Sequence, residues 1–185
     1  MSNDNQAENR LIVAALCGLP GAGKSRIAAT LAEASGWPIL DRDQIRAKHF
    51  PDGRVDREAT REAEAIMTRQ LAELLTQGRS VILDGMTLAR AERRREWAQF
   101  VHDRGGLWRL LFVECPLPTA IARVEEDHAT GRHAASDRNA DLVRAVANHF
   151  EPPDIDKADV IRIDGCAPPD GTNLARTART ITSSW

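Results

Sequence analysis

The chain has 185 residues, 42% hydrophobic and 28% charged, with 25 Lys+Arg against 27 Asp+Glu and a net charge of -2. That length supports one sizeable core, so a single domain spanning residues 1–185 is expected, and the slightly acidic balance lacks the basic excess of a duplex-coating protein. Cys17, Cys115 and Cys166 are odd in number and form no CxxC pair, which excludes a disulfide framework or zinc knuckle as the organising principle and fits a reducing cytoplasm.

From the N-terminus, Met1–Arg10 is polar and reads as a flexible lead-in without a signal-peptide profile. No apolar run reaches the roughly 18 residues that span a bilayer, so a soluble cytoplasmic protein without membrane contact is expected. Leu11–Cys17 is the first apolar strand, and Gly18-Leu19-Pro20-Gly21-Ala22-Gly23-Lys24-Ser25 follows it. This is a full GxxxxGK[ST] match, placed between a strand and a helix (Lys24–Ala34) as the chemistry requires. Glycines let the backbone turn its N–H groups onto phosphates, the helix N-terminus adds its dipole, Lys24 adds a point charge and Ser25 can ligate Mg²⁺. Gly18, Pro20, Gly21, Ala22, Gly23, Lys24 and Ser25 are therefore the expected nucleotide cradle.

Pro38–Leu40 reads as a short strand and Asp43–His49 as a short helix. On it, Asp43 and Arg46 share a face at i,i+3, at the sheet edge where α/β proteins bind ligands. Asp43 can take a hydroxyl proton while Arg46 binds an anionic part of the acceptor. The competing account makes Asp43 a helix N-cap and Arg46 its solvated neighbour. Arg57–Gln77 is a long helix whose Met67, Leu71, Leu74 and Leu75 form one stripe, with Gly78 as C-terminal cap. Ser80–Leu83 is the next strand, and Asp84 at its end is placed to hold Mg²⁺ opposite Ser25. Arg90–Arg104 (helix), Leu107–Glu114 (strand), Pro118–Thr130 (helix), the polar break Gly131–Asp137, Asn139–Phe150 (helix), Val160–Ile163 (strand) and Thr172–Thr182 (helix) complete the series.

Strands alternating with crossover helices predict an α/β fold with a parallel sheet covered on both faces. The cradle alone does not separate switches, motors and kinases. There is no NKxD segment for guanine and no LSGGQ-like signature, and the chain is short for a ring-forming motor. A compact phosphotransferase remains.

GLPGAGKS, LDRDQIR, VILDG with MTLARAERR, and ECPLPTAIARV together resemble the kinase domain of polynucleotide 5′-hydroxyl kinases and related small P-loop kinases, including zeta-toxin and gluconate kinases. The resemblance runs from about Leu11 to Asp164. It implies a P-loop NTPase fold with a five-stranded parallel core and a small helical lid near residues 117–138. It also implies ATP with Mg²⁺ as donor and a hydroxyl of a small molecule or nucleic-acid 5′ end as acceptor. In that family the aspartate matching Asp43 is the general base and the arginine matching Arg46 contacts the acceptor. Thr87, Arg90 and Arg93 fall where relatives face the acceptor, although three consecutive arginines (Arg93–Arg95) point three ways and most belong to a solvated face.

Arg123 and Arg132 are expected to act catalytically as lid arginines on the phosphates, with Arg138 a third candidate; an ion pair of Arg123 with Glu126 or Asp127 is the alternative. His128 and His133 read as surface residues. With four Trp, four Phe and no Tyr, and with Trp97, Phe100, Trp108 and Phe112 at core periodicity, few rings are left to stack bases. The readings in hand are an ATP-dependent kinase and an ATP-binding regulatory module without a dedicated acceptor. Asp43 distinguishes them, because a nucleotide sensor has no need of a base.

Overall fold

The computed structural model describes residues 10–51, 56–130 and 139–179. Its strands are β1 (Ile12–Cys17), β2 (Ile39–Asp41), β3 (Val81–Asp84), β4 (Leu107–Glu114) and β5 (Val160–Asp164). They form one parallel sheet in the order β2-β3-β1-β4-β5. The helices are α1 (Lys24–Ser35), α2 (Arg42–His49), α3 (Arg57–Thr76), α4 (Ala91–His102), α5 (Leu117–Thr130), α6 (Ala140–Asn148) and α7 (Gly171–Arg179). Every predicted element exists, with ends shifted by a residue or two where caps and end turns decide the boundary, except that the predicted end of the last helix, Thr182, lies outside the described residues.

All six residues of β1 are buried, as expected of a central strand covered on both faces. Alternation sends Val13, Ala15 and Cys17 to one side, where Met67, Leu71 and Leu75 of α3 and Trp97 and Val101 of α4 cover them. Ala14 and Leu16 pack on the other side against Ile27 and Leu31 of α1 and Ala175 of α7. A smaller cluster of Ala120, Val124 and Val143 joins α5 to α6. Trp97, Trp108 and Phe112 are buried and Phe100 is partly buried against the core, as their periodicity predicts.

The α3 stripe ends as read from the sequence. Gly78 adopts φ 72°, its N–H bonds Leu75 O and the next N–H, of Arg79, bonds Leu74 O, the pair of bonds of a Schellman cap. Register fixes the functional edge: Asp41 lies directly beside Asp84 at the carboxyl ends of β2 and β3. Among the described residues no helix is long and apolar enough to cross a membrane.

Candidate active site

The loop after β1 closes on itself through Ala22 N–H to Leu19 O at 3.1 Å, and Gly18 N–H reaches across to Thr87 O at 3.1 Å. Gly21, at φ 81°, admits no side chain: a Cβ there would stand 2.2 Å from Ala120 O of α5. The backbone itself therefore forms the wall, and α5 is pressed against it. Helix α1 begins at Gly23 without a side-chain cap, so its first N–H groups and its dipole are presented to an anion. Buried Lys24 extends back over the loop, its Nζ donating to Gly18 O at 3.0 Å and Leu19 O at 2.9 Å.

The cradle opens into a cleft of about 590 Å³ whose lining includes Pro20, Gly21, Gly23, Lys24, Ser25 and Arg123 on one side and Asp41, Arg42, Asp43, Arg46, Thr60, Asp84 and Thr87 on the other. Gly18 and Ala22 lie behind this lining, Ala22 in the core against α1. Arg90, expected at the acceptor, lies outside the lining and precedes α4. Arg93 is drawn away from the cleft by Glu64 and Glu96. Of the three arginines it is Arg94 that turns inward, donating through Nη1 to Leu88 O at 2.8 Å and Ala89 O at 3.2 Å. Those bonds pin a stretch in which Leu88 holds φ 48°, immediately after Thr87. Periodicity carried the signal, since Arg94, Trp97 and Val101 occupy one buried stripe of α4.

Helix α2 is capped by Asp41, whose Oδ1 accepts from Asp43 N–H at 2.8 Å and Gln44 N–H at 3.2 Å. The capping account of Asp43 therefore passes to Asp41, a residue the sequence reading left unused although it ends its strand as Asp84 does. Gly85 permits this packing: at φ 78°, a Cβ would meet Asp41 Oδ1 at 2.4 Å and the amide nitrogens of Arg42 and Asp43 at 2.7 Å. Asp43 is left with its carboxylate between two guanidiniums, Arg42 Nη2 at 3.2 Å and Arg46 Nη2 at 3.5 Å from Oδ1. Arg46 is 6% exposed and donates to Thr60 Oγ1 at 3.3 Å, so it is no solvated neighbour.

Burial, and next the adjacent Asp84 carboxylate, push the Asp41 carboxyl above its ordinary value. Asp84 is 2% exposed, and its Oδ1 has no hydrogen-bond partner among the described residues. A buried carboxylate oxygen without a partner is costly unless a cation or donor meets it. With Ser25 lining the same cleft, the donors are hard oxygens, the set that suits Mg²⁺.

Arg123 rests on the cradle: Nη1 donates to Gly165 O at 3.0 Å and Gly21 O at 3.3 Å and lies 3.8 Å from Cys115 Sγ. Its guanidinium is thus turned to the loop, where the sequence alternative had it paired along α5. Arg132, Arg138 and His133 lie outside the described residues, as does the break Gly131–Asp137.

A family model described as AAA domain matches residues 13–153. The chain belongs to this family of P-loop kinases. A shikimate kinase of Gloeobacter violaceus is 31% identical over 133 residues, covering 69% of this chain and 71% of that protein. Among solved structures, a protein of Chloroflexus aurantiacus J-10-fl superposes with a TM-score of 0.76 at 20% identity, covering 94% of this chain and 99% of its own. A gluconokinase of Sinorhizobium meliloti 1021 gives 0.61 at 19% identity, covering 91% of this chain and 90% of its own. At these identities the two structures speak for the fold. The family match supports the kinase reading over the regulatory-module one.

Proposed function

We propose that the protein is an ATP-dependent kinase that phosphorylates a hydroxyl of a small acceptor bearing a negative charge. One observation carries this: the cradle of Lys24 and Ser25 shares a single cleft with a carboxylate, Asp43, held between Arg42 and Arg46. The two guanidiniums suit a carboxylate or phosphate group on the acceptor. Gluconate and shikimate, for which the relatives are named, are hydroxylated carboxylic acids.

Ser25 and Asp84 would hold Mg²⁺, which when bound neutralises charge on the β- and γ-phosphates. Lys24 exchanges its two carbonyl acceptors for phosphate oxygens. Asp43 accepts the proton of the attacking hydroxyl as the oxygen closes on phosphorus. Arg46, fixed by burial and by Thr60, aligns the acceptor, and Arg123 turns its fork from the Gly21 and Gly165 carbonyls to charge developing on the transferred group.

The test is transfer from radiolabelled ATP to a panel of hydroxy acids, sugars, nucleosides and oligonucleotides with free 5′ hydroxyls. Transfer to a hydroxy acid is expected, and Asp43→Asn should keep ATP affinity while slowing transfer by about 10² or more, the scale of a lost general base. Transfer to no member of the panel, or a variant as fast as the wild type on a proven acceptor, would refute the reading.

A further inference from the structure

Two cysteines that belong to none of these roles meet at the rim of the cradle. Cys115 follows β4 and Cys166 follows β5, fifty-one positions apart, yet their Sγ atoms are 3.7 Å apart. The strands beneath them are already in register, Glu114 beside Asp164, and Gly165 N–H bonds Glu114 O at 2.7 Å. A disulfide would therefore add one rung to an existing ladder. Its sulfurs stand about 2.05 Å apart, so less than 2 Å of side-chain adjustment separates the thiols from a bond.

We propose that Cys115 and Cys166 form an oxidation-sensitive dithiol, closed to a disulfide by hydroperoxides, and that the closed form binds nucleotide more weakly. The second half rests on the nucleotide reading of the cleft given above. Arg123 is the link. Its Nη1 rests on Gly165 O, Gly21 O and Cys115 Sγ, and it reaches phosphate only by leaving them. A Cys115–Cys166 bond ties together the two segments that carry Cys115 and Gly165, holding that resting place closed beneath the guanidinium.

The chemistry divides between the two sulfurs. Cys166 is exposed and Cys115 half-buried, and burial together with the hydrogen bond it shares with Cys166 raises Cys115 to about 11. Cys166, the more accessible sulfur, attacks the peroxide first as thiolate: an S–O bond forms, the O–O bond breaks, and hydroxide, or alkoxide from an organic hydroperoxide, leaves with the electron pair and takes up the proton Cys166 gave up. Cys115 sulfur then attacks the resulting sulfenic acid, forming the S–S bond, while the displaced hydroxyl departs as water with the Cys115 proton. Overall two thiols lose two electrons to one hydroperoxide, which becomes water or an alcohol and water. Cys17, buried and itself raised to about 11 by that burial, serves as the internal unreactive control.

The experiment treats the full chain with hydrogen peroxide, reads the crosslink by intact mass and peptide mapping without reductant, and measures affinity for a non-hydrolysable ATP analogue by calorimetry. The expected result is loss of two hydrogens, a Cys115–Cys166 crosslink with Cys17 free, and about tenfold weaker binding, the scale of one charge-assisted contact, all reversed by dithiothreitol. Cys166→Ser should bind like reduced wild type before and after peroxide. Free thiols after treatment, a crosslink through Cys17, or a Cys115–Cys166 crosslink with unchanged affinity would each overturn the proposal. The crosslink is read without nucleotide. A reduced wild type that fails to bind the analogue would defeat the nucleotide reading separately.

Discussion

Gly165 tests the architecture of the cradle without touching a phosphate-binding side chain. A Cβ built there lies 2.1 Å from Ala22 O, 2.8 Å from Glu114 O and 2.9 Å from Val113 Cγ1. Two of these neighbours are backbone carbonyls, one in the cradle and one at the end of β4, and neither has a rotamer to yield. Carbon packs at about 3.5 Å or more, so in Gly165→Ala the β5–α7 turn must retreat by roughly an ångström. The retreat stretches Gly165 N–H to Glu114 O, now 2.7 Å, and withdraws the carbonyl on which Arg26 and Arg123 rest at 3.1 and 3.0 Å. Overpacking costs about 1–3 kcal/mol and each weakened hydrogen bond about 1 kcal/mol, while the stiffer unfolded chain returns about 0.4–1 kcal/mol. The expected loss is therefore about 3–6 kcal/mol, a fall in Tm of roughly 6–24 °C for a domain of this size. ATP-analogue affinity should fall about tenfold because the new Cβ also presses on the Ala22 peptide and displaces the cradle's own N–H groups. Thermal unfolding by circular dichroism and calorimetric titration read the two effects. A variant with unchanged Tm and unchanged affinity would refute the packing argument.

Asp41 is raised above its ordinary 3.8 by burial and Asp84, so the native state holds its proton more tightly than the unfolded chain does. That contribution to stability is complete below pH 3.8 and fades as pH rises through the folded value; Asp41→Asn keeps the cap and should gain on wild type across that window, as denaturant midpoints taken at acidic and neutral pH would reveal. Arg94→Met should take the guanidinium from the Leu88 and Ala89 carbonyls, leaving them Cys17 Sγ at 3.5 Å and Glu151 N–H at 2.9 Å, at a cost of about 1–3 kcal/mol, with faster amide exchange across residues 85–90; unchanged exchange would contradict it. Arg46→Lys should raise KM for a charged acceptor by about tenfold and leave ATP affinity untouched, because ammonium cannot reproduce the guanidinium fork; a steady-state comparison decides it.

The sheet was legible because parallel strands buried on both faces must be short and apolar, and because each crossover helix carries its own stripe, as Met67, Leu71 and Leu75 do on α3. The cradle was legible because each residue in it has a local duty. What sequence concealed was pairing across the chain. That Asp41, not Asp43, caps α2 depends on Gly85, just past the end of the neighbouring strand, leaving room. That Arg94 is the inward arginine was written in its spacing to Trp97, but hydropathy counted it as surface. Gly165 stands 142 positions from Gly23 (165 − 23), and no local pattern announces that a cradle is braced by a turn after the last strand.

The register that sets Asp41 beside Asp84 explains why so much positive charge converges here. A buried carboxylate, Asp84, beside a half-buried one, Asp41, opposes folding: Asp41 resists ionisation and Asp84 keeps a lone oxygen. A sequence selected for stability alone would neutralise one of them, as Asp41→Asn does. Both are present, at the carboxyl edge of a parallel sheet, with Lys24, Arg42 and Arg46 around the same cleft. A local conflict of that kind, sustained inside an otherwise consistent fold, is the mark of a site whose missing counter-charge arrives with its ligand. On the function proposed above, Asp84 answers to a cation brought with the nucleotide, whereas Asp43, already flanked by guanidiniums, answers to the acceptor, and that division separates the two ends of the cleft.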